Sequence, residues 1–301
     1  FEVSKQVKKA VAYVTGLGYF EFYMNGKKVG NDVLVPNQTN YGKRPSLINH
    51  GIPVPDDFHA YKVMYLAYNV TDMLQQGENV AGSILGNGFY NPGKFWALGY
   101  GTPRFLGQVH ITYIDGSEDI ISSNTSWKVA KSPIVMDMVY YGEHYDARLE
   151  QAGWCLPGFD DSSWQQAVER LAPEADLVAH TANPDKVMQR LKPVSIEKMY
   201  DDIYRVDFGV EISGWINFEN MEGPEGHKIE IKYLSNEFSG DNSYIFSGNG
   251  KENYAARFNW FVFREVEIKN WPGVLQPEQI TAEVVHTKIE KHAVFETSNS
   301  L

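Results

Sequence analysis

Acidic side chains are the groups in this sequence best suited to chemistry, and they meet aromatic residues at two points. In Tyr140-Tyr141-Gly142-Glu143-His144-Tyr145-Asp146-Ala147-Arg148, two carboxylates, three tyrosines, a histidine and an arginine fall within one short segment. Glycosidic bond cleavage needs two carboxylates flanking the bond, so Glu143 and Asp146 are the pair to consider for it. The same residues have a structural use, because an Asp146–Arg148 or a Glu143–arginine contact can knit a loop to a sheet. A ligand-binding role for Tyr141, Glu143, Asp146 and Arg148 stands beside that use.

The second point is Gly86-Asn87-Gly88-Phe89-Tyr90-Asn91-Pro92-Gly93-Lys94-Phe95-Trp96. Glycines there let the backbone approach a ligand, and Asn87 offers an oxygen to a hard cation such as Ca²⁺. Tyr90 and Trp96 offer rings against which the apolar face of a sugar can pack. The alternative is an aromatic-rich loop folded onto a sheet. The adjacent acids Asp56-Asp57, Asp160-Asp161 and Asp201-Asp202 would point to opposite faces of a strand, and they read as solvated turns.

Other chemistries lack a starting point. The 8 histidines form no His-Glu-x-x-His motif, and Cys155 is the sole cysteine, which excludes an internal disulfide framework and a multi-cysteine zinc site. No Gly-x-Ser-x-Gly elbow, phosphate-binding Gly-x-x-x-x-Gly-Lys run or dinucleotide fingerprint occurs. A net charge of −11 opposes nucleic-acid binding and anionic membrane surfaces, and the apolar runs are too short to span a bilayer.

The elements that must position these residues are strands. Tyr19–Met24, then Asn25-Gly26, then Lys27-Lys28-Val29 predicts a hairpin, since Asn-Gly accepts positive φ. Gln108–Ile114, Asp115-Gly116 and Glu118–Ile121 predict a second, and Trp215–Phe218, Gly223-Pro224-Glu225-Gly226 and His227–Tyr233 a third. Helical signals are confined to Thr71–Gly77, with Thr71 as cap, and to Asp160–Trp164. Short strands punctuated by Gly, Pro, Asn and Asp predict an all-β chain of two tandem β-sandwiches. Pro173, Pro184 and Pro193 mark the division, giving residues 1–175, a joining strand or linker at 176–192, and a second sandwich at 193–294.

Three strings are specific. Leu17-Gly18-Tyr19-Phe20-Glu21-Phe22-Tyr23-Met24-Asn25-Gly26-Lys27-Lys28-Val29-Gly30, Leu85-Gly86-Asn87-Gly88-Phe89-Tyr90 and Tyr141–Arg148, in that order, resemble the N-terminal module of bacterial α-L-rhamnosidases of glycoside hydrolase family 78. Asp207-Phe208-Gly209, Ser213-Gly214-Trp215, Gly223–Gly226, Arg257-Phe258 and Phe263-Arg264 resemble the concanavalin-like sandwich that follows it. The resemblance implies a jelly-roll at 1–175, a concanavalin-like domain at 193–294, and at 295–301 the entry to an (α/α)6 catalytic barrel. The catalytic acids would belong to that barrel, so no residue of this chain inherits a catalytic role.

What the resemblance does imply is rhamnose binding by the first module, with Ca²⁺ at the loop holding Asn87. Asn87 is neutral where an aspartate would carry charge, and Asn259-Trp260-Phe261 replaces a Thr-x-His-Gly arrangement. The implied partners are a rhamnose-bearing glycan and a C-terminal catalytic domain, in a secreted or periplasmic bacterial setting, with the cytoplasm left open. Two other readings remain at this stage: a stand-alone lectin-like or adhesion protein, and a hydrolase acting through Glu143 and Asp146.

Overall fold

The computed structural model describes residues 1–42, 60–93, 99–200, 202–234, 240–289 and 293–298. Strands dominate it, as the turn-punctuated alternation requires. In the first half, Glu118–Ser122, Arg104–Tyr113, Val7–Leu17, Lys62–Asn69 and Asp176–Ala179 lie side by side in that order. A three-stranded sheet of Lys27–Lys28, Tyr19–Met24 and Ala81–Gly86 faces them. Period-two alternation sends Ala10, Ala12, Val14, Val109, Ile111 and Tyr113 inward against Phe20, Phe22 and Met24, which forms the first core.

The first two expected hairpins are present. Tyr23 pairs with Lys28 and Met24 with Lys27 across a two-residue turn, with Asn25 at φ 49° and Gly26 at φ 78°. Glu118 pairs with Thr112 around a turn in which Gly116 has φ 83°.

The third hairpin does not form. Ile229, Ile231 and Tyr233 are buried as their alternation requires. However, Phe261–Lys269 lies between Lys228–Leu234 and the long strand Ile203–Met221, pairing with both. The Gly223–Gly226 connection instead carries the chain past Phe261–Lys269, so that Lys228–Leu234 pairs with Asp241–Ile245 on its other side, and the Gly226 N–H donates to the Phe246 carbonyl at 2.9 Å. Without a tight two-residue turn, neighbours in sequence are not bound to be neighbours in the sheet.

The helical signals also shrink. Thr71–Met73 is one 3₁₀ turn, and Thr71 caps nothing; its hydroxyl instead accepts the Ala10 N–H at 2.9 Å. Asp160 accepts the Ser162 N–H at 3.0 Å, and the Asp160–Trp164 stretch is a pair of turns rather than a helix. Cys155 is buried, and burial raises its thiol pKa. Among the described residues, no helix is long and apolar enough to cross a membrane.

The second half builds an 11-stranded sheet around Phe218, Ile229, Ile231, Phe263, Val266 and Ile268. Its members are not all from the second half. Ile134–Met138 and Gly142–Asp146 add to one side, with Gly142–Asp146 running parallel to Asp241–Ile245. Asp32–Val33 adds at the other side through Asp185–Leu191. Of the 176–192 stretch, Asp176–Ala179 closes the first sandwich's sheet and Asp185–Leu191 belongs to the second. The segment with the acid cluster thus sits where the two halves interlock.

Candidate functional site

Glu143 is enclosed, at 0% exposure. Its carboxylate accepts the backbone N–H of Arg257 at 2.9 Å and of Phe258 at 3.2 Å, and the Tyr254 hydroxyl at 3.3 Å. Its own N–H donates to Asn242 Oδ1 at 2.8 Å. Burial pushes the Glu143 pKa up to about 7; the N–H groups and charge of Arg257 oppose that rise, and the nearby Asp137 adds to it.

Asp137 is the facing residue in the antiparallel pair of Ile134–Met138 with Gly142–Asp146. It is also buried, and burial raises its pKa to about 6 against the donors that Asn87 supplies. Like-charged groups on directly facing positions disfavour a strand pair. Here each carboxylate is held by donors from a different half of the chain. The Asn87 backbone N–H donates to Asp137 Oδ2 at 2.5 Å, and Asn87 Nδ2 donates to Oδ1 at 2.8 Å and to the Asp137 carbonyl at 2.9 Å.

A third acid completes the junction. Glu21 accepts Arg257 Nη1 at 2.5 Å, the Tyr23 hydroxyl at 2.8 Å and Lys28 Nζ at 2.6 Å. Burial alone would raise the Glu21 pKa, but Arg257 and Lys28 outweigh it and hold it at about 2. Arg257 is raised in turn: burial would lower it, and Glu21 more than offsets that. One residue therefore serves both halves, with its guanidinium on Glu21 of the first sandwich and its N–H on Glu143 in the second sheet. Behind it, Asn242 Oδ1 also accepts Asn259 Nδ2 at 2.7 Å, and Asn242 Nδ2 donates to the Tyr233 hydroxyl at 3.1 Å.

The residues singled out from sequence fall into this frame as follows. Glu143 and Asp146 are three apart on one strand, so their side chains leave opposite faces and do not flank a common bond. Asp146 is committed to Arg148, accepting Nε at 2.9 Å and Nη2 at 2.7 Å, and that contact lowers its pKa. Its Oδ1 also accepts the Arg148 N–H, which caps the 3₁₀ turn Ala147–Leu149. Tyr141 is exposed, at 45%, on the turn before the strand.

Tyr90 corrects the expectation of a sugar-facing ring. It is 3% exposed, stacked on Tyr100 at 5.6 Å and edge-on to Tyr41 at 5.2 Å, because the 88–91 turn folds it onto Leu17 and Val63. Trp96 lies outside the described residues. The Asn87 turn fits Ca²⁺ poorly. Such an ion takes six to eight oxygens, whereas the single side-chain oxygen of Asn87 accepts Asn91 Nδ2 at 2.6 Å and its amide is spent on Asp137. Among the described residues, no group of three or more His, Cys, Asp or Glu could hold a metal ion.

Glu21, Asp137, Asn242 and Arg257 were not chosen from sequence as site residues. Glu21 and Arg257 fall within the strings that carry the family resemblance, but nothing local joins them, since they meet across 236 positions.

Two interlocked β-sandwiches, with their acids turned inward onto a shared junction, define a tandem all-β module pair. Residues 5–189 match the α-L-rhamnosidase N-terminal domain, and residues 197–286 match the bacterial α-L-rhamnosidase concanavalin-like domain. The chain belongs to the bacterial α-L-rhamnosidase family. An α-L-rhamnosidase of Formosa agariphila is 34% identical over 99% of this chain and 32% of its own length. One of Streptomyces avermitilis is 30% identical over 98% of this chain and 28% of its own. Among solved structures, the α-L-rhamnosidase of Dictyoglumus thermophilum superposes with a TM-score of 0.86 at 35% identity, covering 99% of this chain and 33% of that one. The Streptomyces avermitilis enzyme complexed with L-rhamnose gives 0.85 at 28% identity, over 95% of this chain and 28% of that one. The chain spans about a third of the length of the curated relatives it matches.

Proposed function

We propose that this chain is the non-catalytic front part of an α-L-rhamnosidase, a rigid two-module support for a catalytic domain that removes terminal α-L-rhamnose from a glycan or glycoside. The observation that carries the reading is the use of the acids: Glu143, Asp137 and Asp146 are each consumed by protein donors, and Glu143 is sealed from solvent. A glycosidase acid must reach the glycosidic oxygen. The span of about a third of the relatives agrees with that reading. The implied partners are the rest of the same protein and a rhamnose-bearing glycan, and a secreted or periplasmic bacterial setting suits such a substrate.

The test compares this chain with a version extended through its reading frame, using p-nitrophenyl α-L-rhamnopyranoside. The chain alone is expected to release no nitrophenol, while the extended protein does. In the extended protein, Glu143→Gln should change kcat/KM by less than about threefold. Turnover by the chain alone, abolished by Glu143→Gln without loss of folding, would overturn the reading.

A further inference from the structure

The five-stranded sheet of the first sandwich buries one face and leaves the other in water, and that outer face is not uniformly polar. Tyr13 is 38% exposed and Ile120 57% exposed there. Register sets Val11 beside His110 and His110 beside Ile120 in one row, and Lys9, Thr112 and Glu118 in the next. Together with Tyr13 they line a shallow cleft of about 190 Å³. Tyr13 is a fixed post within it, with the His110 ring 5.0 Å away at 75° and the Tyr65 ring 6.0 Å away at 68°.

The chemistry of the lining selects its ligand. An apolar strip of Val11, Tyr13 and Ile120 matches the C–H face of a ring. The row beside it offers a donor in Lys9, an acceptor in Glu118 and a hydroxyl in Thr112 that can do either. The Thr112–Glu118 hydrogen bond is long, at 3.4 Å, so a ligand hydroxyl can replace it. Lys9 and Glu118 oppose each other in sign, which favours a neutral ligand over an ion. The volume is below the roughly 300–1,000 Å³ of sites for drug-sized molecules, so it suits one ring.

We propose that this cleft is a binding site for the ring of a neutral pyranose. It lies apart from the Asn87 turn and does not depend on the activity of the longer protein. The test is saturation-transfer NMR of the 301-residue chain with L-rhamnose, D-galactose and D-glucose, each titrated separately. Transfer to at least one of them is expected. Tyr13→Ala should weaken it by about tenfold or more through loss of the ring, and Tyr13→Phe should keep it within about twofold. Ile120→Asp, at an exposed hairpin position, provides a second disruption that leaves the core untouched and should likewise weaken transfer by about tenfold or more. Absence of transfer from all three sugars, or transfer unchanged in both Tyr13→Ala and Ile120→Asp, would overturn the proposal.

Discussion

Glu143 and Asp137 give the protein a pH dependence whose sign follows from their environment. Each has a folded pKa above its unfolded value near 4, at about 7 and about 6. Between those values the folded state binds more protons than the unfolded one, so stability falls as pH rises from about 4 to about 7 and then levels. Glu21 has the opposite sign: it is held at about 2, so its contribution is present above about 4 and is lost as pH falls towards 2. Denaturant midpoints measured from pH 4 to 8 should show the decline, and Glu143→Gln, which keeps the shape of the protonated acid, should flatten it. An unchanged slope in that variant would show that Glu143 is ionised throughout. At the same junction, Arg257→Met leaves Glu21 buried with only Lys28 as a counter-charge. It should cost about 3 kcal/mol in urea unfolding, near the lower end for a broken buried pair. The double change Glu21→Gln with Arg257→Met should recover part of that loss.

At the scale of elements, the Asn87 turn is a structural clasp rather than a loop waiting for an ion. Asp137→Ala removes the carboxylate that accepts two of the Asn87 contacts, from its backbone N–H and from Nδ2, and leaves only the Asp137 carbonyl as a partner. Residues 86–91 should then exchange amide hydrogens faster, with a loss of about 1–3 kcal/mol. Addition of Ca²⁺ or of a chelator to the native chain should leave its melting temperature where it was. Much of this architecture is legible in the residues. Asn25-Gly26 forces its hairpin locally, and the alternation of Val109, Ile111 and Tyr113 states which face is buried. The pairing of Lys228–Leu234 is not legible, because alternation names a buried face and not a neighbour. Nor is the clasp, since Asn87 and Asp137 meet only after two sheets have folded. Tyr90 shows the same limit from the other side: a tyrosine in a glycine-rich string has the composition of a binding loop, and its burial is decided by Leu17, Tyr41 and Val63. In the acid cluster, by contrast, the Asp146–Arg148 contact could be anticipated from spacing, as both residues lie within one turn of chain.

Over the whole molecule, the Glu21–Arg257–Glu143 linkage and the shared sheet make the two family domains one mechanical body. A support of this kind transmits load without bending at a hinge, which suits the role proposed for it in a longer enzyme. The strand Gly142–Asp146 carries a further consequence. It belongs to the first half by chain order and to the second half by hydrogen bonding, and it runs parallel to Asp241–Ile245. A cut within 176–192 therefore strips the second half of its outer strands and bares the backbone of Asp241–Ile245, a ready template for foreign strands. Residues 1–192 and 193–298 expressed separately should each aggregate, while co-expression should return a soluble pair that elutes together from a sizing column. Recombination between such genes should be constrained in the same way, because a crossover within 176–192 would part strands that pair with each other, and the two modules are expected to pass together.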